Sequence, residues 1–152
     1  MINKDLANTK IGEFEFPIER GKIREFANAI LDPNPIYRDR DYARQKGFSD
    51  VLMPVTFPVS FALHMDSENF ILEMSEKIGM DPAKSVHGET EMIFHRPVCA
   101  GETLRADIGF GDIFEKEGKR GGKMTFVIIE IKVFDEKNNL AVVIKNTHIE
   151  KS

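Results

Sequence analysis

The sequence predicts an α+β domain in which an antiparallel sheet of about five strands wraps around one central apolar helix. Three observations carry this reading. The C-terminal half alternates apolar and polar residues with a period of two, the signature of half-buried strands. The N-terminal half instead shows short amphipathic segments punctuated by proline and glycine. Between them, Phe57-Pro-Val-Ser-Phe-Ala-Leu63 is apolar on nearly every side, as a fully buried helix would be. At 152 residues, without repeats or a linker-like stretch, the chain reads as one domain over residues 1–152.

Taken in order, Glu13 to Phe16 is a short first strand. From Arg20, apolar residues at Ile23, Phe26, Ala27, Ile30 and Leu31 define one helix face, and Asp32-Pro33 stops it. Asp39 can cap a short helix that ends at Gly47. Thr56 is the expected cap of the apolar segment, whose Pro58 sits in the first turn, where the missing N–H costs little. A further helix turns Phe70, Ile71, Met74 and Ile78 inward and ends near Gly79. Ser85 to Phe94, Leu104 to Phe110, Met124 to Phe134 and Leu140 to Ile149 supply four more strands, the last two joined by a turn at Glu136-Lys137-Asn138-Asn139. The charged run Asp112, Glu115, Lys116 and Glu117, followed by Gly118, Gly121 and Gly122, is expected to be a solvated loop. A curved sheet around one helix is the hot-dog arrangement.

Composition narrows the function classes. With 41% hydrophobic and 30% charged residues the chain is globular rather than disordered. A net charge of −4 with scattered Lys and Arg gives no footprint for nucleic acid and no polybasic membrane patch. No apolar run approaches membrane-spanning length and no leader pattern opens the chain, so a cytoplasmic location is expected. The one cysteine, Cys99, rules out an internal disulfide and a cysteine-based zinc site, and is expected to be a buried or half-buried thiol. No Walker, dinucleotide or zinc-protease pattern is present, so no metal and no cofactor is expected.

The most informative stretch is Asp32-Pro-Asn-Pro-Ile-Tyr37, followed by Met53-Pro-Val-Thr-Phe57, His87-Gly-Glu89 and Phe94-His-Arg-Pro. On local grounds Asp32-Pro33-Asn34-Pro35 is a rigid turn, with two fixed φ angles and two turn-forming side chains. These separated segments, in this order and over nearly the whole chain, resemble the N-terminal dehydratase domain of the MaoC-like enoyl-thioester hydratases and (3R)-hydroxyacyl dehydratases. That branch includes the subunit of heterodimeric dehydratases that does not carry the chemistry. The family pattern reads Gly-Asp-x-Asn-Pro-(Leu/Ile)-His, followed by a His-Gly turn that opens the central helix.

The resemblance implies a hot-dog fold, an acyl thioester substrate carried by CoA or acyl-carrier protein, and a homodimer or a heterodimer with a related hot-dog subunit. In such a family one group activates water while a proton is delivered to the neighbouring carbon, and a backbone N–H at the head of the central helix polarises the thioester carbonyl. Residue by residue, the family Asp falls on Asp32 and the Asn on Asn34, while the His position holds Tyr37. The donor glycine falls on Val55, after Pro54 in place of His. Asp32 and Tyr37 are therefore the catalytic candidates, and Asn34, Val55, Thr56 and His87 the substrate-binding ones. A phenol near pKa 10 donates a hydrogen bond but is a poor base at neutral pH, whereas imidazole does both.

His64, His95 and His148 read as structural or solvent-exposed, and for His87 a hydrogen bond at a strand end competes with a role in binding. Three functions follow: a substrate-binding subunit, a self-sufficient homodimeric hydratase, and an acyl-thioester hydrolase or acyl-binding module on the same fold. The last is disfavoured because a hydrolase's acidic residue usually lies on the central helix, and Phe57 to Leu63 has none.

Overall fold

The period-two segments pair into a five-stranded antiparallel sheet ordered β1-β3-β4-β5-β2 in the computed structural model, which describes residues 1–65, 69–118 and 121–151. The strands are β1 (Thr9–Pro17), β2 (Ser85–Phe94), β3 (Thr103–Glu117), β4 (Lys123–Phe134) and β5 (Leu140–Lys151). Directly opposed residues share a face, so the pairs Phe16–Leu104, Ala106–Val133, Ile108–Ile131 and Ile131–Ile144 make one continuous apolar surface. These side chains are buried, and with Val127, Val133 and Val142 they form the sheet's half of the core. Two edges result, β1 and β2, and most of β2 is exposed.

Two helices and one 3-10 segment contribute to the core on the apolar face, α1 (Arg20–Ala29), the 3-10 helix Phe57–His64 and α3 (Phe70–Ile78), while the short α2 (Arg40–Gln45) packs on the Pro35–Tyr37 turn. Asp39 caps α2 by accepting from the N–H groups of Asp41 and Tyr42, as its position predicts. Gly79 closes α3 at φ 76°, and a Cβ there would meet the Met1 carbonyl oxygen at 2.6 Å. Met74 and Ile78 of α3 are buried and Phe70 half-buried, while the side chains of Ile71 and His64 lie outside the described residues. Cys99 is buried.

The structure corrects four expectations. The charged run from Asp112 to Glu117 is the second half of β3, not a loop. Its alternation is carried by Phe114, which stacks on Phe126 at 4.9 Å with Lys116 over both rings, and by Glu115, bridged by Lys4 and Lys123. Second, the central apolar segment is buried on one side only: Phe57 and Phe61 are inside, whereas Val59 is 60% and Leu63 83% exposed. The sheet reaches one face of it, through Phe16, whose ring lies 3.7 Å from Phe61 and 6.0 Å from Phe57.

Third, Ile30 and Leu31 do not continue the inward face of α1. The helix ends at Ala29, Leu31 takes φ 56°, and the Leu31 and Asp32 N–H groups donate to the carbonyls of Asn28 and Ala27. This is the paired closure usually made by a left-handed glycine. Fourth, Thr56 makes no side-chain cap among the described residues; its carbonyl instead accepts from Val59 N–H at 3.1 Å. No described helix is long and apolar enough to cross a membrane.

Candidate functional site

The closure of α1 delivers the chain into the turn that holds most of the candidate residues. Asp32 Oδ1 accepts from the Asn34 N–H at 2.9 Å, and Asn34 Oδ1 accepts from the Ile36 N–H at 3.1 Å. These two consecutive side-chain turns, with Pro33 and Pro35 fixing φ between them, account for the rigidity. Arg38 staples the turn from behind: its Nη2 donates to the Asp32 carbonyl at 2.5 Å and its Nη1 to the Asn28 side-chain oxygen. The Leu52 N–H donates to the Ile36 carbonyl at 3.1 Å, which ties the turn to the segment leading into the 3-10 helix.

Asp32 is half-buried, Asn34 exposed and Tyr37 half-buried against the core. Asp32 Oδ2 and the Tyr37 hydroxyl have no hydrogen-bond partner among the described residues, so both remain open to a ligand or water. Burial, and then the negative charge of Asp32, hold the Tyr37 phenol above its ordinary value. At neutral pH it is a donor, not a base. Val55, at the head of the 3-10 helix, is 63% exposed, and its N–H has no partner among the described residues. Thr56 is exposed beside it.

His87 stands apart from this turn. It lies directly opposite His148 across β2 and β5, with the rings 5.6 Å apart, and its Nε2 pairs with the Thr90 hydroxyl at 3.0 Å. Thr90 in turn donates to Asn146 at 2.7 Å. Burial and then His87 hold the His148 imidazole below its ordinary value. His95 is exposed on its own. The structure thus gathers Asp32, Asn34 and Tyr37 on one turn, tied to the segment before Val55 and Thr56 by the Leu52–Ile36 hydrogen bond, and leaves His87 in a separate network. The described clefts lie elsewhere; one of about 450 Å³ lies between Arg96, Glu102, Asp135 and Lys137.

Residues 6–144 match the family described as FAS1-like, dehydratase domain region. The chain belongs to that family, a MaoC-like dehydratase domain. Among curated relatives, a UPF0336 protein of Saccharopolyspora erythraea is 40% identical over 103 residues, 68% of this chain and 64% of that protein. The chain therefore spans just under two thirds of that relative's length. Among solved structures, the C-terminally truncated HadBC (3R-hydroxyacyl-ACP dehydratase) complex of Mycobacterium tuberculosis aligns with a TM-score of 0.72 at 20% identity, covering 95% of this chain and 97% of that one. The (R)-hydratase of A. caviae aligns at 0.65 and 15% identity, covering 93% and 94%. These likenesses establish the hot-dog fold of the hydratases and dehydratases.

In this dehydratase-domain chain, sequence reasoning missed Arg38, whose role depends on Asn28 folding back toward Asp32, and it misread Leu31. The family pattern has glycine where Leu31 stands, and the structure demands the left-handed backbone there all the same. A leucine in that conformation costs on the order of 1–2 kcal/mol, partly offset by the greater unfolded-state freedom of glycine. Leu31→Gly is therefore expected to stabilise the domain by about 0.5–1 kcal/mol, raising the urea midpoint at an unchanged denaturant slope.

Proposed function

We propose that this chain is the substrate-binding subunit of an enoyl-thioester hydratase or (3R)-hydroxyacyl dehydratase, working with a related hot-dog subunit that carries both catalytic groups. The observation that carries this reading is Tyr37 at the family's His position, with its phenol held above the ordinary value and so protonated at neutral pH. Asp32 can hold a water through its free Oδ2, and the Val55 N–H can donate to a thioester carbonyl. What the turn lacks is a group that takes and returns a proton near pH 7. Proton transfer typically contributes about 10²–10⁴ in rate, so such a site binds substrate and turns it over poorly.

The partner supplies that group and covers apolar surface this chain leaves open. Val55, Val59 and Leu63 recur every fourth residue on the uncovered side of the central segment, and β2 is an unpaired edge. The acyl carrier is CoA or an acyl-carrier protein.

The test follows hydration of a crotonyl thioester by its absorbance. Alone, the chain is expected to bind the thioester yet turn over at least about a hundredfold below the roughly 10 per second typical of enzymes. Adding a related subunit with intact Asp and His restores turnover. An enzyme-like rate for the chain alone, abolished by Asp32→Ala, would overturn the partner-dependent reading in favour of a homodimeric hydratase.

A further inference from the structure

We infer that Arg20, Arg40 and Arg44 form a binding site for a phosphate ester. On the reading proposed above, on which this assignment rests, that ester is the phosphate of the pantetheine carrier that brings in the acyl thioester. The three guanidinium groups converge on the dipeptide Ser49-Asp50 from two helices. Asp50 is only 6% exposed, and its carboxylate accepts three hydrogen bonds and makes a second ion pair. Oδ1 accepts from Arg20 Nε at 2.9 Å and from the Val51 N–H at 2.8 Å; Oδ2 accepts from Arg20 Nη2 at 2.6 Å and lies 3.1 Å from Arg40 Nε. Arg44 Nε donates to the Ser49 carbonyl at 3.4 Å, a neutral partner.

Three guanidinium groups thus meet around one buried carboxylate, on a chain whose net charge is −4. Asp39 and Asp41 flank Arg40, and Asp41 stands three residues before Arg44, yet neither carboxylate forms an ion pair with Arg40 or Arg44 among the described residues; Asp39 Oδ1 caps α2. Arg20 Nη1 and the terminal nitrogens of Arg40 and Arg44 have no partner among the described residues, and the Arg20 and Arg40 side chains are about half exposed, at 53% and 49%. The geometry is a set of guanidinium forks fixed at the stem by a buried acid, with their outer N–H groups free.

These structural contacts use the inner nitrogens of Arg40 and Arg44 and leave the outer ones for another partner. Arg20 alone closes a bidentate pair with Asp50, and Arg40 and Arg44 sit four residues apart on α2, a like-charge spacing that weakens a helix. A bound anion offsets that repulsion. Planar guanidinium forks match the oxygens of a phosphate, and pre-anchored arginines lose little freedom on binding one. The placement also fits an extended carrier arm. Arg40 follows Tyr37 by three residues, and α1 runs from Arg20 toward Asp32 over ten residues, about 15 Å of helix.

The test compares binding of crotonyl-pantetheine and crotonyl-phosphopantetheine to the whole chain, with crotonyl-CoA and inorganic phosphate as further arms. The variants are Arg40→Gln, Arg44→Gln and the double variant, which leave the Arg20–Asp50 pair intact. The phosphorylated thioester is expected to bind about tenfold or more tighter than the unphosphorylated one at low salt, a preference that shrinks as salt rises. The double variant should bring the two affinities together while still binding crotonyl-pantetheine. Inorganic phosphate alone should shift the Arg Nε–H resonances of the wild type and not those that remain in the double variant. CoA binding tighter than phosphopantetheine would extend the site to the nucleotide's phosphates.

Equal affinities in the wild type, or a preference that survives in the double variant, would overturn the assignment and leave the proposed function standing. If neither thioester binds but inorganic phosphate moves the arginine signals, the anion site stands and the thioester reading falls. With no response to either probe, both fall.

Discussion

Phe61→Ala is expected to cost the domain about 3–5 kcal/mol, the range for a buried phenylalanine whose site cannot collapse around the void. Phe61 is 1% exposed, and its ring centre lies 3.7 Å from that of Phe16, itself fully buried. Phe57 completes the cluster, touching Phe16 at 6.0 Å and, edge to face, Phe26 at 5.1 Å. Four rings from β1, α1 and the central 3-10 helix thus meet in one place. This cluster is where the sheet grips the central segment, since Val59 and Leu63 on its other side touch nothing comparable. A domain of this size is stable by only about 5–15 kcal/mol, so the variant should unfold at much lower urea. The contrasting variant Leu63→Ala should change the midpoint little in the isolated chain. A loss below about 1 kcal/mol for Phe61→Ala would mean that the central segment does not anchor the core.

Acid sensitivity should trace to Asp50. Arg20, the Val51 N–H and Arg40 together hold its carboxyl down to about 2, against desolvation that opposes them. The unfolded chain, with an ordinary value near 3.9, then binds more protons than the folded one in this range, so stability rises with pH. The contribution is complete above about pH 5 and fades as pH falls through 4 toward 2. It amounts to about 2 kcal/mol, less where the half-exposed arginines are screened. Asp50→Asn should therefore be less stable than the wild type at pH 6, and the two unfolding curves should draw together by about 2 kcal/mol between pH 5 and 2. A constant offset across that window would show that Asp50 acts by packing and not by charge.

The sheet was legible in the sequence because β-branched residues at every second position leave one pairing face, and β4 and β5 carry that pattern almost unbroken. β3 was legible only as far as Phe110. Beyond it a register irregularity between Phe110 and Ile113 and a run of charges hide a strand that its neighbours hold by an aromatic stack and two ion pairs. The central segment misled in the opposite sense. Uniform apolarity reads as full burial, but it also describes a helix with one face in the core and the other uncovered. At the candidate site, the Asp32–Tyr37 turn was legible because its proline and Asx chemistry is local. The Arg38 staple and the Arg20–Asp50–Arg40 clasp were not, since each joins residues that only the folded chain brings together, and no spacing rule marks them.

The sheet order β1-β3-β4-β5-β2 also governs how this chain can assemble. Only β3, β4 and β5 pair with their neighbours in sequence; β1 must find β3, with Phe16 opposite Leu104, and β2 must find β5, with Phe94 opposite Val142. Both edges therefore close long loops, whose entropy is lost before their contacts form, and folding dominated by such contacts is slow. The local β3–β4–β5 meander is the natural nucleus. During synthesis the chain emerges from its N-terminus, so β1, α1 and the whole of Phe57 to Leu63 leave the ribosome before β3, β4 and β5 exist to complete the core around them. The most apolar stretch of the protein thus waits with only Phe16 and Phe26 of its core in place, and it is the segment a chaperone would hold.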